Sequence, residues 1–464
     1  MKGTIYTDKA SILKRAKEII GLPLGSIDTT GRLSTGKGAI GTVVEESWFG
    51  YVPNSESEPD FPEAGVELKV TPYINTPSGK RAKERLVCNI INYMAEYDKT
   101  FYQSAFWHKC NTMLLMSYEH LFDCPKSDYH IDAAILFSFP KEDLLIIEHD
   151  WKTIMEKVRA GRAHEISEGD TLYLAACTKG ANASSVRAQP FSDIPAKQRA
   201  YSLKSSYMTQ VLNKYIFGDE ENEKVIKDPK VLQNGTFEYY IEQKLKPFFG
   251  KTQKELLDTF AINSTAKNIN ELILAKALGI KGKVSQTEEF MKAGIIPKTI
   301  RVQKDGTIEQ SMSFPAFSFV KLAQEKEWED SELYNYLAPT KFLFVVFQEN
   351  QKGEFVFDRI KFWNIPNDDL EEVGKVWKRT VATLNEGVRL VCGRKGVSNN
   401  LPKQSESRVA HVRPHTAHSA YIFSDGTVIG DPKKNADELP DGQWMTKQCF
   451  WLNNTYIADQ IKEK

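Results

Sequence analysis

The fold of this chain is decided by residues 59–72, which read PDFPEAGVELKVTP. From Val66 onward apolar and polar side chains alternate, and this period of two is typical of a β-strand. Glu67 and Lys69 are therefore predicted to lie on one face of that strand. With Asp60 they would present two carboxylates and an amine, a set suited to binding Mg²⁺ and activating a water molecule. The pattern indicates metal-dependent hydrolysis of a phosphodiester.

The same spacing also fits a solvent-exposed strand face that carries an ion pair. The wider composition does not decide between the two interpretations. The chain has 464 residues, of which 41% are hydrophobic and 26% charged, enough for two or three domains with buried cores. Because Lys+Arg and Asp+Glu both number 61, a nucleic-acid partner would have to be bound by local clusters of basic residues.

The six cysteines are scattered without a Cys-x-x-Cys pair, so neither a zinc site nor a disulfide framework is indicated. No apolar run approaches the length of a transmembrane span, and the N-terminus lacks the apolar core of a signal peptide. We therefore expect a cytoplasmic protein without a membrane partner.

Residues 41–50, which read GTVVEESWFG, combine with residues 59–61 and 64–72 into a dense, ordered pattern. This pattern closely resembles the MutH family, which includes the mismatch-repair nicking endonuclease and the Sau-type restriction endonucleases that recognise GATC. The resemblance implies an α/β (α+β) fold of the PD-(D/E)xK restriction-endonuclease type, a mixed sheet flanked by helices. It also implies that Asp60 and Glu67 bind Mg²⁺, for which Mn²⁺ can substitute, and that Lys69 positions the attacking water.

Two more active-site residues are implied by the resemblance. A glutamate on the helix predicted around residues 40–48 is an accessory acid in the family. Counting from Gly41 selects Glu45, whereas counting back from Asp60 selects Glu46; we favour Glu45, although helical periodicity does not separate them. Lys109 resembles an additional lysine that would stabilise transition-state charge, and its alternative is a solvated lysine at a strand end.

A polar, cationic segment begins at Thr178-Lys179-Gly180-Ala181-Asn182-Ala183 and mixes cations with small and aromatic residues. Such a mixture suits contacts to both phosphates and base edges. In the family a loop at this place reads GATC, and Arg199 stands where the family's base-reading arginine stands; the alternative for Arg199 is phosphate contact alone. The candidate DNA-binding residues here are Lys179, Arg187, Lys197, Arg199, Lys204 and Tyr207.

The second half of the chain repeats the first. At one constant offset, Pro140, Asp143, Leu144, Trp151, Lys152 and Gly161 recur as Pro366, Asp369, Leu370, Trp377, Lys378 and Gly387. Likewise Phe61, Ala64, Gly65 and Lys69 recur as Phe290, Ala293, Gly294 and Lys298. We therefore predict two MutH-like domains: a catalytic domain over residues 1–218, a linker over 219–250 and a second domain over 251–464.

The second copy is not expected to cut DNA. Glu289 and Ile296 replace Asp60 and Glu67, and an isoleucine offers no oxygen to a cation. A regulatory DNA-binding domain is predicted instead, because in Sau-type enzymes the second domain is thought to bind another copy of the site and stimulate the first. Its candidate DNA-binding residues are Arg413, His415, Lys447 and Gln448.

The sequence thus predicts a type II restriction endonuclease that hydrolyses double-stranded DNA before the G of GATC, leaving 5′ overhangs with 5′-phosphates. A palindromic target and a single competent active site predict self-association on DNA. A cognate methyltransferase would act on the same site without needing to bind this protein. Two alternatives remain: a strand-nicking mismatch-repair endonuclease, and a non-catalytic sequence-specific DNA-binding protein.

Overall fold

The computed structural model describes residues 5–34, 36, 38–53, 57–77, 79–180, 184–219, 222–264, 268–394 and 396–462. The chain forms two compact units. Unit 1 comprises Met1–Leu245 and Leu274–Ile296, and unit 2 comprises Lys246–Ile273 and Pro297–Lys464.

Unit 1 contains the predicted strand that carries Glu67 and Lys69. A π-helical turn, Val44–Trp48, continues its third helix. The strands up to residue 203 are β1 (Glu67–Thr76), β2 (Gly79–Ala82), β3 (Leu86–Ile90), β4 (Thr112–Glu119), β5 (Ala133–Ser138), β6 (Leu174–Thr178), β7 (Val186–Gln189), β8 (Ser192–Lys197) and β9 (Arg199–Leu203). The helices up to residue 245 are α1 (Lys9–Glu18), α2 (Leu24–Ile27), α3 (Ala39–Val43), α4 (Tyr93–Glu96), α5 (Ala105–Cys110), α6 (Lys141–Arg159), α7 (Ser205–Leu212) and α8 (Phe237–Leu245).

Two sheets organise unit 1. The first has the order β2-β1-β4-β5, in which β1 and β4 are parallel and the other pairs antiparallel. The second is antiparallel with the order β3-β9-β6, and β7 and β8 form a separate hairpin. One hydrophobic core joins α1, α3 and the start of β1 through Ile12, Val43, Phe61 and Val66. Burial of these side chains holds the helix with the two glutamates against the Glu-x-Lys strand.

Unit 2 contains two sheets that correspond to those of unit 1. The later strands are β10 (Ile295–Val302), β11 (Met312–Ala316), β12 (Lys341–Glu349), β13 (Phe355–Trp363), β14 (Val391–Gly393), β15 (Gly396–Ser398), β16 (Ala410–Pro414), β17 (Tyr421–Ile422), β18 (Val428–Ile429), β19 (Ala436–Glu438), β20 (Trp444–Thr446) and β21 (Gln448–Leu452). The later helices are α9 (Gln253–Thr259), α10 (Ile269–Leu278), α11 (Glu288–Ala293), α12 (Phe319–Gln324), α13 (Glu332–Leu337), α14 (Asn367–Glu386), α15 (Pro432–Asn435) and α16 (Asn454–Ile461). Among these later helices, α11 and part of α10 belong to unit 1.

The strand orders of two sheets in each half of the chain correspond. The sheet β10-β12-β13 corresponds to β1-β4-β5, and the antiparallel sheet β11-β21-β16 corresponds to β3-β9-β6. Helices α6 and α14 both follow a proline N-cap, Pro140 in one case and Pro366 in the other. Unit 2 differs by a four-stranded sheet, β18-β17-β20-β19, inserted between β16 and β21.

The extents of the two units differ from the predicted boundaries. Residues 219–245, assigned above to a linker, belong to unit 1, as does the segment Leu274–Ile296 that was assigned to the second domain. The segment is held in unit 1 because Lys292 on α11 pairs with buried Asp143, and Glu289 accepts main-chain hydrogen bonds from Val225 and Ile226. Such long-range contacts leave no local signal in the sequence.

Candidate active site

The two predicted metal-binding acids lie where the turn before β1 meets that strand. Glu67 is the first residue of β1, and its side chain is 2% exposed. The main-chain N–H of Asp60 donates to Glu67 Oε2 at 3.2 Å, and the N–H of Leu68 donates to Asp60 Oδ2 at 2.9 Å. The Glu67 carboxylate thus accepts a hydrogen bond from the main chain of Asp60, and the Asp60 carboxylate accepts one from the main chain of Leu68, directly after Glu67.

Lys69 lies on the same face of β1 as Glu67, as the alternation predicted. Its Nζ donates to Glu67 Oε1 at 2.7 Å and to the carbonyl oxygen of Cys88 at 3.3 Å. Burial raises the pKa of Glu67, although the charge of Lys69 opposes this shift. Burial alone would lower the pKa of Lys69, but the Glu67 carboxylate outweighs it, so the pKa of Lys69 is raised. The alternative of a solvent-exposed strand face is excluded, because both side chains are largely buried.

Glu45 is the glutamate that approaches these acids. It lies in the π-helical turn, a rare local geometry that often occurs at functional sites. Burial, together with the charges of Asp60 and Glu67, raises the pKa of Glu45 to about 7. Glu46 instead points to Arg32, whose Nε lies 2.5 Å from Glu46 Oε2.

Lys109 completes the cluster from the last turn of α5. Its Nζ lies 3.5 Å from Glu67 Oε2 and donates to the carbonyl oxygen of Glu58 at 3.0 Å. Its side chain is 13% exposed, so it is not the solvated lysine of the alternative interpretation. The structure therefore brings together Glu45, Asp60, Glu67, Lys69 and Lys109.

The residues present fit a hard divalent cation. Mg²⁺ in proteins is usually held by one or two carboxylates and completes its coordination with waters and substrate phosphates. Asp60 and Glu67 supply such a pair, and Glu45 is a third acid within electrostatic reach. Across the described ranges, no group of three or more His, Cys, Asp or Glu side chains has the arrangement of a complete metal cage.

The sequence interpretation missed two residues that contact the cluster, Glu58 and Cys88. Cys88 contributes only its carbonyl oxygen, which no sequence pattern reveals. Glu58 could have been suspected from the sequence only because it stands two residues before Asp60. Its neighbour in space, His108, directly precedes Lys109.

Three of the six candidate DNA-binding residues of unit 1 are corrected by their burial. Arg199 is 3% exposed and donates from Nη1 to the carbonyl oxygen of Ala176 at 2.6 Å. Lys204 is 2% exposed and donates to the carbonyl oxygen of Thr171 at 2.6 Å. Tyr207 is fully buried, and its hydroxyl donates to Asp143 at 3.0 Å. All three side chains stabilise the second sheet and its flanking helix, so none of them reaches a DNA base here.

The other three candidates are accessible. Lys179 is exposed, while Arg187 and Lys197 are half-buried. Arg187 Nε donates to Gln198 Oε1 at 3.1 Å, which orients its guanidinium along the β7–β8 hairpin. Residues 181–183 of the predicted recognition segment lie outside the described residues.

In unit 2 the candidate DNA-binding residues divide in the same way. Arg413 and His415 are exposed, and the Arg413 guanidinium stacks over Trp451 at 4.5 Å. Lys447 is half-buried and donates to the carbonyl oxygen of Lys434 at 2.9 Å. Gln448 is corrected: it is 1% exposed, and its amide donates to the carbonyl oxygen of Thr446.

A mixed sheet whose first strand carries Glu-x-Lys, with an aspartate on the preceding turn, defines a nuclease of the PD-(D/E)xK class. Comparison with known proteins agrees: a family model described as "DNA mismatch repair enzyme MutH" matches residues 49–150. The chain belongs to the MutH-related family of type II restriction endonucleases. It is 40% identical to the Type II restriction enzyme Sau3AI of Staphylococcus aureus over 99% of this chain and 99% of that protein.

Two mismatch-repair proteins are similar to a smaller part of the chain. MutH of Shewanella amazonensis is 33% identical over 37% of this chain and 78% of its own length. MutH of Shewanella woodyi is 30% identical over 38% of this chain and 77% of its own length. The chain is accordingly a type II site-specific deoxyribonuclease, an enzyme that hydrolyses phosphodiester bonds. Among the helices that the structure describes, none is both long and apolar enough to cross a membrane.

Proposed function

We propose that unit 1 cleaves double-stranded DNA before the G of GATC, leaving 5′ overhangs with 5′-phosphates, and that it requires Mg²⁺. The observation that supports this most directly is the gathering of Glu45, Asp60, Glu67, Lys69 and Lys109 around the start of β1. The specificity is supported by similarity to the restriction enzyme and to the MutH proteins.

Each residue has a distinct role in this proposal. Asp60 and Glu67 hold the cation, which when bound supplies positive charge to the scissile phosphate and acidity to a water ligand. Lys69 orients the attacking water and takes part in its deprotonation. Lys109 faces the Glu67 carboxylate and stabilises the negative charge that develops on the phosphate oxygens. Glu45 helps to hold the cation or its water.

Lys179, Arg187 and Lys197 are the contacts that we propose between unit 1 and DNA. They are accessible, and they lie on or beside the β7–β8 hairpin. Few acidic residues lie near them in the sequence, so this segment carries a local positive charge although the chain as a whole is neutral.

Unit 2 is proposed to bind a second copy of the site without cutting it. β10 begins at the end of the unit 1 segment and continues in unit 2, and it carries Ile296 at the position of Glu67, two residues before Lys298. The carboxylate needed by a hard cation is therefore missing from this strand. At the position of Lys109, counted from the serine N-caps Ser104 and Ser331, the corresponding helix carries Tyr336. Arg413, His415 and Lys447 are the proposed DNA contacts. Binding there would regulate unit 1.

A palindromic target with one cutting unit per chain requires two chains, or two successive nicks, for a double-strand break. We propose that two chains associate on DNA. A nicking enzyme of the mismatch-repair kind would leave open circles, which separates the two activities by product.

The test is digestion of a supercoiled plasmid of known sequence with Mg²⁺, followed by sequencing of the ends. Linear DNA with ends at GATC is expected, and Asp60→Ala should lower the rate by at least about 10²–10³-fold because a cation ligand is lost. Digestion by Asp60→Ala at the wild-type rate would rule out the assignment. Persistent open circles would favour the nicking activity, and cleavage to linear product by strictly monomeric complexes without a nicked intermediate would contradict association on DNA.

A further inference from the structure

One residue of the loop before β1 contacts both side chains at the end of α5. The carboxylate of Glu58 lies 2.7 Å from His108 Nε2, measured to Oε2. The carbonyl oxygen of the same residue accepts a hydrogen bond from Lys109 Nζ at 3.0 Å. Because His108 and Lys109 are adjacent on α5, Glu58 is attached to that helix through its side chain and its main chain at once.

This attachment bears on the position of Asp60. Asp60 stands two residues after Glu58 on a turn, outside the sheet, and its contacts with β1 are the hydrogen bonds to Glu67 and from Leu68. On its C-terminal side the turn is closed by main-chain hydrogen bonds between Phe61 and Val66. On its N-terminal side, the contacts of Glu58 with α5 provide the anchor. A metal ligand must be held to within about 0.5 Å of its working position, so both anchors matter.

We propose that Glu58 and His108 form a positioning pair that fixes Asp60 and Lys109 relative to each other. This inference rests on the proposed function, in which Asp60 holds the cation and Lys109 faces the phosphate. Neither Glu58 nor His108 touches the reacting atoms in this account. Their contact determines where the cation ligand on the loop and the lysine on the helix stand.

The exposure of the pair allows positioning to be separated from folding. The side chains of His108 and Glu58 are 55% and 54% exposed, and an ion pair so exposed adds little to global stability. Partners that orient a metal ligand from outside the coordination sphere, in contrast, typically change metal affinity or activity by about 10–100-fold when removed. A loss of activity at unchanged stability is therefore the signature of the proposed role.

The experiment compares His108→Ala, Glu58→Ala and the double variant in the full chain. Glu58→Ala removes the carboxylate but keeps the carbonyl oxygen, so it isolates the contact with His108 from the one with Lys109. Three quantities are measured: the single-turnover rate at saturating Mg²⁺, Mn²⁺ affinity without DNA by titration calorimetry, and the urea midpoint of unfolding. His130→Ala is a matched control, because His130 also pairs with a carboxylate, Asp132 at 3.1 Å, and is 50% exposed.

Each single variant is expected to weaken Mn²⁺ binding or slow cleavage by about 10–100-fold at an unchanged urea midpoint. The double variant should be no worse than the singles, and His108→Gln, which keeps an N–H donor, should recover part of the loss. Wild-type values in both single variants, independent effects that multiply in the double variant, or equal losses in His130→Ala would overturn the proposal. A wild-type protein that does not cleave with Mg²⁺ would instead overturn the proposed function.

Discussion

At the scale of single residues, Glu45 makes the sharpest prediction, because its pKa of about 7 lies within the working range of an enzyme. Below that pH the carboxyl holds a proton and cannot help to bind a cation or its water. At subsaturating Mg²⁺ we expect the metal-dependent rate of the wild type to rise as the pH approaches 7, and Glu45→Gln to be slower by about 10²-fold or more with that rise lost. Single-turnover rates from pH 5.5 to 8.5 are the measurement, and a Glu45→Gln profile that still rises through 7 would assign the titration to another group.

The same shift predicts a change in stability with a definite sign. A carboxyl whose pKa is higher in the folded than in the unfolded protein weakens the fold as the pH rises between those two values. Without metal, Glu45→Gln should therefore match the wild type in urea midpoint near pH 4 and exceed it near pH 7.5. The reverse trend would show that Glu45 is charged and stabilised in the free protein.

The residues of the active site were predictable to different degrees. Alternation along residues 66–70 was sufficient to place Glu67 and Lys69 on one face, because the geometry of a strand is local. The prediction that Arg199 and Lys204 contact DNA was wrong, since a cationic side chain in a polar segment usually indicates an exposed surface. Their burial depends on carbonyl acceptors at Ala176 and Thr171, which become neighbours only when β6 and β9 pair.

At the scale of secondary-structure elements, the strand that carries Glu67 and Lys69 followed from the sequence, whereas the placement of α11 did not. Residues 290–298 match residues 61–69 at four of nine positions. The glycines before β1 and β10 both adopt positive φ, 62° at Gly65 and 64° at Gly294. Yet Phe61 begins a turn and Phe290 lies in a helix. Residues 288–293 form a helix rather than a turn because Glu289 and Lys292 bind residues of unit 1 that the turn before β1 does not contact.

Glu289 shows what α11 contributes to unit 1. Its two carboxylate oxygens accept the main-chain N–H groups of Val225 and Ile226, both at 2.9 Å, and the residue is 7% exposed. Glu289→Ala would leave two buried donors unsatisfied, at a cost of about 1–3 kcal/mol in the free energy of unfolding. Urea denaturation is the measurement, with Glu242→Ala on the exposed side of α8 as the control.

The rate of metal-dependent cleavage per folded molecule of Glu289→Ala should stay close to that of the wild type on short DNA with one site. Glu289 stands in sequence where a second copy of Asp60 would stand, but its oxygens are already engaged by main chain. A loss of activity as complete as that of Asp60→Ala, in a protein that remains folded, would mean that Glu289 takes part in the chemistry.

At the scale of the whole molecule, the duplicated fold provides an internal comparison of two ion pairs. In unit 1, Asp143 on α6 accepts from the hydroxyl of Tyr207 and pairs with Lys292 at 2.6 Å. In unit 2, the corresponding Asp369 on α14 accepts from the hydroxyl of Tyr456 and pairs with Arg408. The tyrosine and the aspartate are the same in both copies, but the cation differs, and Lys292 also pairs with Glu288 at 2.6 Å.

The two cations differ in their solvent exposure and in the part of the chain that carries them. The side chain of Lys292 is 7% exposed, and its segment reaches unit 1 from beyond residue 273; the side chain of Arg408 is 62% exposed. Breaking a buried pair leaves an uncompensated charge and costs about 3–5 kcal/mol, whereas an exposed pair contributes about 1 kcal/mol or less.

Lys292→Met should therefore destabilise the protein by several times more than Arg408→Met, and urea denaturation of the two full-length variants measures the difference. Burial of Asp143 already raises its pKa, and Lys292→Met removes the cation that pairs with the charged form of that carboxyl. The double variant Asp143→Asn/Lys292→Met, which removes both charges, should recover part of the loss. Equal costs for Lys292→Met and Arg408→Met would show that the segment 274–296 is not required for the stability of unit 1. A larger cost for Lys292→Met would mean that the nuclease unit is completed by residues distant in sequence, so a fragment ending at residue 245 would fold poorly.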